Sequence, residues 1–217
     1  MTFDRPIRVA VLVSGHGRGS NLQALIDGCY DGRINGTIEM VVGTRSDAPA
    51  LDRAKSALIV TKVVSPKQFE GDNIAYGVAL LDLLNGSQID LICLAGYMRV
   101  LPGNVVRNFA GRVLNIHPSL LPKYGGKGMF GEYVHTAVLA AGDIESGCTV
   151  HFVEDGYDTG PIALQSTVPV MPNDTPESLA ARVLVAEHDA YVEAVRLFAL
   201  NRLPYNPSIQ VDSPTIP

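Results

Sequence analysis

The residues best suited to chemistry lie in an Asn-x-His-Pro sequence that ends an apolar run. Asn115 and His117 are two positions apart, so in a strand their side chains point to the same face. Pro118 has no N–H to donate to a neighbouring strand, and regular pairing should stop there. An amide that can hydrogen-bond an oxyanion would then stand beside an imidazole that exchanges protons near neutral pH.

A carboxylate that completes this group is expected from Asp158, in a glycine-containing turn over residues 155–161. Asn, His and Asp together indicate acyl transfer without an enzyme nucleophile, because no Ser or Cys occupies the position where one would be needed. The alternative is that Asn115 and His117 only cap a strand. Of the other histidines, His151 is expected to have a supporting role at most, and His16 and His135 are expected to be solvated.

A glycine-rich loop over residues 14–21 lies between the first expected strand and the first helix. Glycines let backbone N–H groups turn toward an anion, and the helix N-terminus adds a favourable dipole. Ser20 and Asn21 can add side-chain donors. The spacing is neither G-x-G-x-x-G nor Walker A, which favours a phosphomonoester. The alternatives are a turn without a ligand and a Rossmann dinucleotide site in which Thr44 and Arg45 face a 2′-phosphate.

A second loop, residues 95–101, follows a buried run and should line the carboxyl edge of the sheet, where such folds bind ligands. Met98 and Leu101 offer apolar surface there, and Arg99 offers a fork of donors. Residues 187–189 on the last expected helix, taken alone, read as an exposed polar face.

Composition describes an ordinary globular protein of 217 residues, 47% hydrophobic and 18% charged. A net charge of -5 argues against non-specific nucleic-acid binding. Cys29, Cys93 and Cys148 are widely separated, which indicates a reducing compartment, no disulfide framework and no metal site. No apolar run approaches a membrane span and the N-terminus lacks the apolar region of a signal peptide, so a cytoplasmic location is expected.

Apolar runs alternate with helical patterns and predict an α/β fold with a doubly wound sheet, mostly parallel in the N-terminal half, with antiparallel strands added in the C-terminal half. One domain is expected, since no linker or repeat interrupts residues 1–217. The expected strands are 7–13, 38–42, 58–64, 89–95, 112–117, 147–153 and 162–170, and the expected helices are 21 to about 30, 48–57, 72–84, 102–109, 132–141 and 175–200.

These motifs resemble those of the glycinamide ribonucleotide formyltransferases, within the folate-dependent formyltransferase family. The resemblance covers about residues 7–200 and rests on residues 14–23, 95–101, 115–122 and 158–161. Similar strings occur in methionyl-tRNA formyltransferase and formyltetrahydrofolate deformylase. The Gly-Ser-Asn-Leu-Gln loop, the acidic charge, the lack of a following tRNA-binding domain or a preceding regulatory domain, and Pro118 in place of a second His favour the ribonucleotide enzymes.

The resemblance implies a three-layer Rossmann-like formyltransferase fold and transfer of the formyl group from N10-formyltetrahydrofolate to the amine of glycinamide ribonucleotide, in de novo purine (IMP) biosynthesis. It implies small-molecule substrates, no metal, no nucleic acid or membrane partner, and a monomer or homodimer. Residues 7–116 would form a nucleotide-binding half, 117–200 a folate and catalytic half, and 201–217 an irregular tail. Formyltetrahydrofolate hydrolysis is the alternative activity, and an NADP-dependent reductase a more distant one.

Carried over by position, Asn115 would bind the formyl oxygen, and His117 would move the proton with a pKa raised by Asp158. The resemblance assigns the ribonucleotide to Gly19, Ser20, Asn21 and Glu187. It assigns the folate to Met98, Arg99, Val100, Leu101, Glu154, Asp155 and Asn115.

Three departures from the family pattern stand out. The loop over 14–21 is about two residues longer, and Arg18 in it could add a phosphate contact. The loop over 123–131, which includes the glycine-rich stretch 125–131, is also longer and is either a mobile lid or a surface excursion. Asn73 stands where the family often has an arginine for the folate glutamate tail, with Lys67 as a possible substitute.

Overall fold

The computed structural model describes residues 3–15 and 17–206, and the expectations for His16 and for residues 207–217 lie outside this part. Every expected strand and helix is found in it, with ends that move by about two residues or fewer. The strands are β1 (Ile7–Val13), β2 (Gly36–Gly43), β3 (Val60–Val63), β4 (Leu91–Leu94), β5 (Val113–His117), β6 (Glu145–Phe152) and β7 (Ile162–Pro169). The helices are α1 (Ser20–Tyr30), α2 (Pro49–Ser56), α3 (Asn73–Gly86), α4 (Gly103–Asn108), α5 (Glu132–Ala140) and α6 (Pro176–Ala199), with a 3-10 turn at Pro66–Phe69.

The seven strands form one sheet in the order β3-β2-β1-β4-β5-β6-β7. β1 to β5 pair in parallel, and β6 and β7 are added antiparallel. This confirms the expected α/β class and its mixed sheet. Strand order reverses between β1 and β4, which is the position where open α/β sheets have a ligand-binding crevice.

Helices cover both faces of the sheet, so β1 is buried on both sides. Val9 and Val11 pack in one apolar cluster together with residues of α1, α2, α5 and α6. Ala10 and Leu12 pack in a second cluster with residues of α3 and α4. A parallel strand buried on both faces reads as a continuous apolar run, which is why β1 is recognisable in the sequence. No helix in residues 3–15 and 17–206 is long and apolar enough to cross a membrane.

The last helix, α6, is fixed at its start and in its middle. Thr175 and Ser178 form a reciprocal capping box, with Pro176 in the first turn. Further along, the hydroxyl of the fully buried Tyr191 donates to the carbonyls of Leu94 and Leu114, 3.0 Å from each. α6 is thereby hydrogen-bonded to the ends of β4 and β5, next to both expected ligand sites.

Removing this hydroxyl in Tyr191→Phe should lower the free energy of unfolding by about 1–3 kcal/mol, because two buried carbonyls lose a donor and water cannot replace it. Urea unfolding followed by circular dichroism measures the loss. Tyr30→Phe removes the same group from a side chain that is 94% exposed and should leave stability unchanged. Equal midpoints for the two variants would contradict a structural role for the Tyr191 hydroxyl.

Candidate active site

Asn115 and His117 lie on the same face of β5, which ends at His117 directly before Pro118, as expected. The antiparallel neighbour β6 places His151 opposite Asn115 in the strand register. Asn115 Nδ2 lies 3.0 Å from His151 Nε2. His151 therefore belongs to this group of side chains, a closer role than the sequence indicated.

Asp158 completes the group from the turn between β6 and β7. One of its oxygens lies 3.5 Å from His117 Nδ1, and the other lies 3.5 Å from His151 Nε2. The backbone N–H of Gly126 donates to the same carboxylate at 3.0 Å. Asp158 has a φ of 54°, in the left-handed region that Asp tolerates better than most residues. The structure thus brings together the three residues that the sequence singled out, and adds His151.

The hydrogen-bond partners define the histidine tautomers. His117 Nε2 lies 2.8 Å from the carbonyl oxygen of Tyr124, which can only accept, so this nitrogen carries the proton and Nδ1 faces Asp158. His151 Nδ1 lies 2.9 Å from the carbonyl of Phe152 and carries its proton for the same reason. In neutral His151, Nε2 is left as the acceptor for the amide of Asn115.

The pKa of His117 is lowered, so the expectation of a raised pKa is wrong. Burial lowers the pKa of His117, and this effect outweighs the opposing charge of Asp158. Burial alone would raise the pKa of Asp158, but the contact with His151, the charge that His117 carries when protonated and the N–H of Gly126 together lower it. The site at neutral pH therefore pairs a neutral imidazole with a carboxylate.

His135 is buried on the inner face of α5 between Val134 and Val138, and is 3% exposed, so the expectation of a solvated side chain is wrong. Its Nδ1 has no hydrogen-bond partner within residues 3–15 and 17–206. Burial and the nearby His117 both lower the pKa of His135. A polar residue type suggests an exposed side chain, and the inward position of His135 follows only from the way α5 packs on the rest of the fold.

The loop over 123–131 touches the site through its first residues. The carbonyl of Tyr124 holds His117, and the N–H of Gly126 holds Asp158. Asp143 anchors this part of the loop from outside, 2.9 Å from Lys123 Nζ and 2.8 Å from the Tyr124 hydroxyl. The loop is thus part of the site wall, and its movement as a lid stays a hypothesis.

The glycine-rich loop packs tightly against α2 on its way into α1. Gly19 has a φ of 74°, and a Cβ there would lie 2.8 Å from the Cβ of Ala50, so only glycine fits. Arg53 on α2 donates to the carbonyl of Arg18. Arg53 is a cation beside this loop that the sequence did not single out, because nothing in the helical pattern of α2 distinguishes it from a surface arginine.

Asn21 and Glu187 meet although they are far apart in the sequence. Asn21 Nδ2 donates to Glu187 Oε2 at 2.6 Å. Glu187 is buried, and burial raises its pKa against the effect of this hydrogen bond. Asn21 Oδ1 is buried without a partner among the residues that the structure describes. The first turn of α1 therefore offers polar atoms held in place by α6, and the expected exposed face at 187–189 does not include Glu187.

The segment after β4 divides into exposed and buried residues. Met98, Arg99 and Val100 are exposed, whereas Leu101 is buried in the apolar cluster beneath them. In the turn before Asp158, Glu154 accepts a hydrogen bond from the Tyr205 hydroxyl at 2.7 Å, and Asp155 is exposed. Asn73 and Lys67, the two residues considered for the folate tail, are exposed as well. In the described part of the chain, no three His, Cys, Asp or Glu side chains are grouped to hold a metal ion.

Comparison with known proteins decides the family, because the sequence profile described as "Formyl transferase" matches residues 7–195. The chain belongs to the formyl transferase family. A relative within it, phosphoribosylglycinamide formyltransferase of Escherichia coli strain K12, is 42% identical over 197 residues, which are 91% of this chain and 89% of the relative. The trifunctional purine biosynthetic protein adenosine-3 of Drosophila melanogaster is 43% identical over 96% of this chain, which spans 15% of that protein.

A solved formyl transferase structure agrees over nearly the whole fold. The crystal structure of glycinamide ribonucleotide transformylase 1 from Symbiobacterium toebii superimposes with a TM-score of 0.87 and 43% identity, and covers 96% of this chain and 95% of its own. This formyl transferase likeness confirms the family resemblance seen in the motifs.

The pKa of His117 offers a direct test of the site electrostatics. Nitrogen-detected NMR should give a value below the ordinary 6.5, and Asp158→Asn should lower it further, because the variant removes the charge that favours the imidazolium. Since the folded protein then binds fewer protons than the unfolded chain, this histidine makes stability fall as the pH drops below about 6.5.

The matched control is Asp155→Asn, which removes a carboxylate from the same turn at an exposed position. It should leave the pKa of His117 where it is. A pKa of His117 that rises in Asp158→Asn, or that moves equally in both variants, would show that the pairing does not hold in solution.

Proposed function

We propose that this chain transfers the formyl group of N10-formyltetrahydrofolate to the amine of glycinamide ribonucleotide in de novo purine biosynthesis. The observation that carries the proposal is the convergence of Asn115, His117 and Asp158 in a chain that is 42% identical, over 91% of its length, to a phosphoribosylglycinamide formyltransferase. Amide, imidazole and carboxylate supply an oxyanion donor and a proton carrier, which direct transfer between two nitrogens requires.

In the proposed reaction, the substrate amine attacks the formyl carbon, a tetrahedral intermediate forms, and the bond from that carbon to N10 then breaks. Asn115 stabilises the negative oxygen of the intermediate. Its amide has two N–H bonds, and one of them points to His151 Nε2, 3.0 Å away. The second has no partner among residues 3–15 and 17–206 and is proposed to bind the formyl oxygen, while His151 keeps the amide in one orientation.

The proton released by the amine has to reach N10, and His117 is the proposed carrier. Its lowered pKa means that it starts neutral, so it can accept a proton. Protonation of Nδ1 converts the 3.5 Å contact with Asp158 into an ion pair, which stabilises the imidazolium. The Nε2 position is filled by the Tyr124 carbonyl, and exchange of that carbonyl for substrate or water would open a second route.

The binding residues are proposed from their places around this centre. We assign the ribonucleotide phosphate to Gly19, Ser20 and Asn21, where the α1 N-terminus favours an anion. Glu187 is assigned to the ribose or glycinamide end, since Asn21 already orients it. The folate is assigned to the residues around the exposed segment after β4 and the turn before Asp158, namely Met98, Arg99, Val100, Leu101, Glu154 and Asp155, together with Asn115.

Other features stay predictions of the sequence. They are the single domain with nucleotide-binding (7–116) and folate (117–200) halves, the cytoplasmic location, the monomer or homodimer, and the replacement of the folate-tail arginine by Asn73 or Lys67. Both substrates are small molecules, and N10-formyltetrahydrofolate is a co-substrate that the reaction consumes.

The reaction is tested by following deformylation of N10-formyltetrahydrofolate spectrophotometrically, with and without glycinamide ribonucleotide. Turnover that requires the ribonucleotide, and that is lost in Asp158→Asn, is the expected result. Deformylation in the absence of ribonucleotide would instead make the protein a hydrolase. No turnover in either mixture would overturn the proposal.

The role of Asn115 is tested with Asn115→Ala, which should lower kcat by about 100- to 1,000-fold, because the oxyanion loses a preorganised donor. The KM values should change far less, since the interaction strengthens in the transition state. Asn108→Ala removes an amide from an exposed position at the end of α4 and should be as active as the wild type. An Asn115→Ala enzyme within tenfold of the wild type would exclude Asn115 as the main oxyanion donor.

A further inference from the structure

Ser14 is the first residue of the loop to which the ribonucleotide is assigned, and it is hydrogen-bonded to the segment to which the folate is assigned. It directly follows β1, opens the glycine-rich loop, and is buried. Its hydroxyl donates to the carbonyl of Gly96 at 2.7 Å and accepts from the N–H of Met98 at 2.8 Å. Its own N–H also donates to the Gly96 carbonyl, at 3.2 Å.

These bonds take over where the parallel pairing of β1 and β4 ends. Leu12 pairs with Leu94, and the N–H of Ala95 still donates to the carbonyl of Leu12 at 3.0 Å. Gly96 then turns the chain away with a φ of 71°. Beyond this point the segments that follow β1 and β4 are no longer paired as strands. The hydroxyl of Ser14 joins them, because it donates one hydrogen bond and accepts another.

We propose that Ser14 is a positioning residue that couples the ribonucleotide loop (residues 14–21) to the folate segment (residues 96–101). The inference rests on the proposed function for the identity of the two ligands. Because the hydroxyl of Ser14 makes two hydrogen bonds to the folate segment, a shift of the ribonucleotide loop at Ser14 would move that segment as well. An anion that orders the ribonucleotide loop therefore favours the bound geometry of the folate segment, and by linkage the folate favours the ribonucleotide equally.

The folate segment has a second anchor, which provides a matched control. The hydroxyls of Tyr97 and Tyr76 lie 2.9 Å apart and are buried, so the segment is also hydrogen-bonded to α3. This bond does not involve the ribonucleotide loop. Tyr76→Phe should therefore loosen the folate segment without uncoupling it, whereas Ser14→Ala should uncouple it.

Calorimetry on a dead-end complex measures the coupling, because tetrahydrofolate carries no formyl group and cannot react. The dissociation constant of tetrahydrofolate is measured with and without saturating glycinamide ribonucleotide, for the wild type, Ser14→Ala and Tyr76→Phe. In the wild type the ribonucleotide should tighten tetrahydrofolate binding. Ser14→Ala should reduce this ratio by about 2- to 10-fold, the effect of about one net hydrogen bond.

The controls separate coupling from general loosening. Tyr76→Phe should weaken tetrahydrofolate binding but keep the ratio, and Ser14→Thr, which retains the hydroxyl, should restore it. Three outcomes would overturn the inference: a ratio of one in the wild type, an unchanged ratio in Ser14→Ala, or an equal loss of the ratio in Tyr76→Phe.

Amide hydrogen exchange tests the link without either substrate, with inorganic phosphate as the probe. Phosphate should slow exchange at Met98 in the wild type and in Tyr76→Phe, but not in Ser14→Ala. Failure of the wild type to bind the ribonucleotide or tetrahydrofolate would count against the proposed function, while this measurement would still decide the role of Ser14. Exchange at Met98 that responds to phosphate equally in Ser14→Ala, or in none of the proteins, would overturn the inference.

Discussion

Asp158 stays a carboxylate at a place where burial alone would raise its pKa, and the site is built around the polar groups that surround it. His117, His151 and the N–H of Gly126 surround the carboxylate. The three groups belong to β5, β6 and the loop over 123–131, so one carboxylate is in contact with three segments. The N–H of Gly126 donates to it, and the contact with His117 becomes an ion pair when that ring is protonated, so a shift of these segments would leave a buried carboxylate with fewer polar partners.

The register of β5 and β6 is the second constraint, because it decides which side chains can reach Asp158. A slip by one residue would turn Asn115 and His117 to the other face of the sheet. Thr149 helps to hold the chain after the strand in place: its hydroxyl donates to the carbonyl of Ser119 at 2.6 Å and accepts from Leu121 N at 3.0 Å. Gln165 on β7 donates to Thr149 and to the Leu121 carbonyl. The antiparallel strands β6 and β7 thus fix the path of the chain after His117.

Much of the fold and the centre of the site could be predicted, because they follow from local patterns. A doubly buried strand such as β1 is visible as an apolar run, and the i, i+2 spacing puts Asn115 beside His117 in any strand. The burial of His135 could not be predicted, since the orientation of α5 depends on what it packs against. The pKa of His117 was predicted in the wrong direction for a similar reason. A neighbouring charge can be guessed from the sequence, but the burial that outweighs it is a property of the assembled fold.

The position of His151 could be predicted only in part, because a sequence pattern gives the face of a strand but not its pairing partner. Alternation along β6 places it on the face that Asn115 uses, but only if β6 pairs antiparallel with β5 in the observed register. Helix α6 makes the same point over a longer distance. Glu187 and Tyr191 are one helical turn apart, so they lie on one face of a rigid element. Glu187 meets Asn21 at the start of α1, and Tyr191 meets the ends of β4 and β5. One helix therefore sets the position of the ribonucleotide loop relative to the strand that carries Asn115 and His117, although neither contact can be read from local sequence.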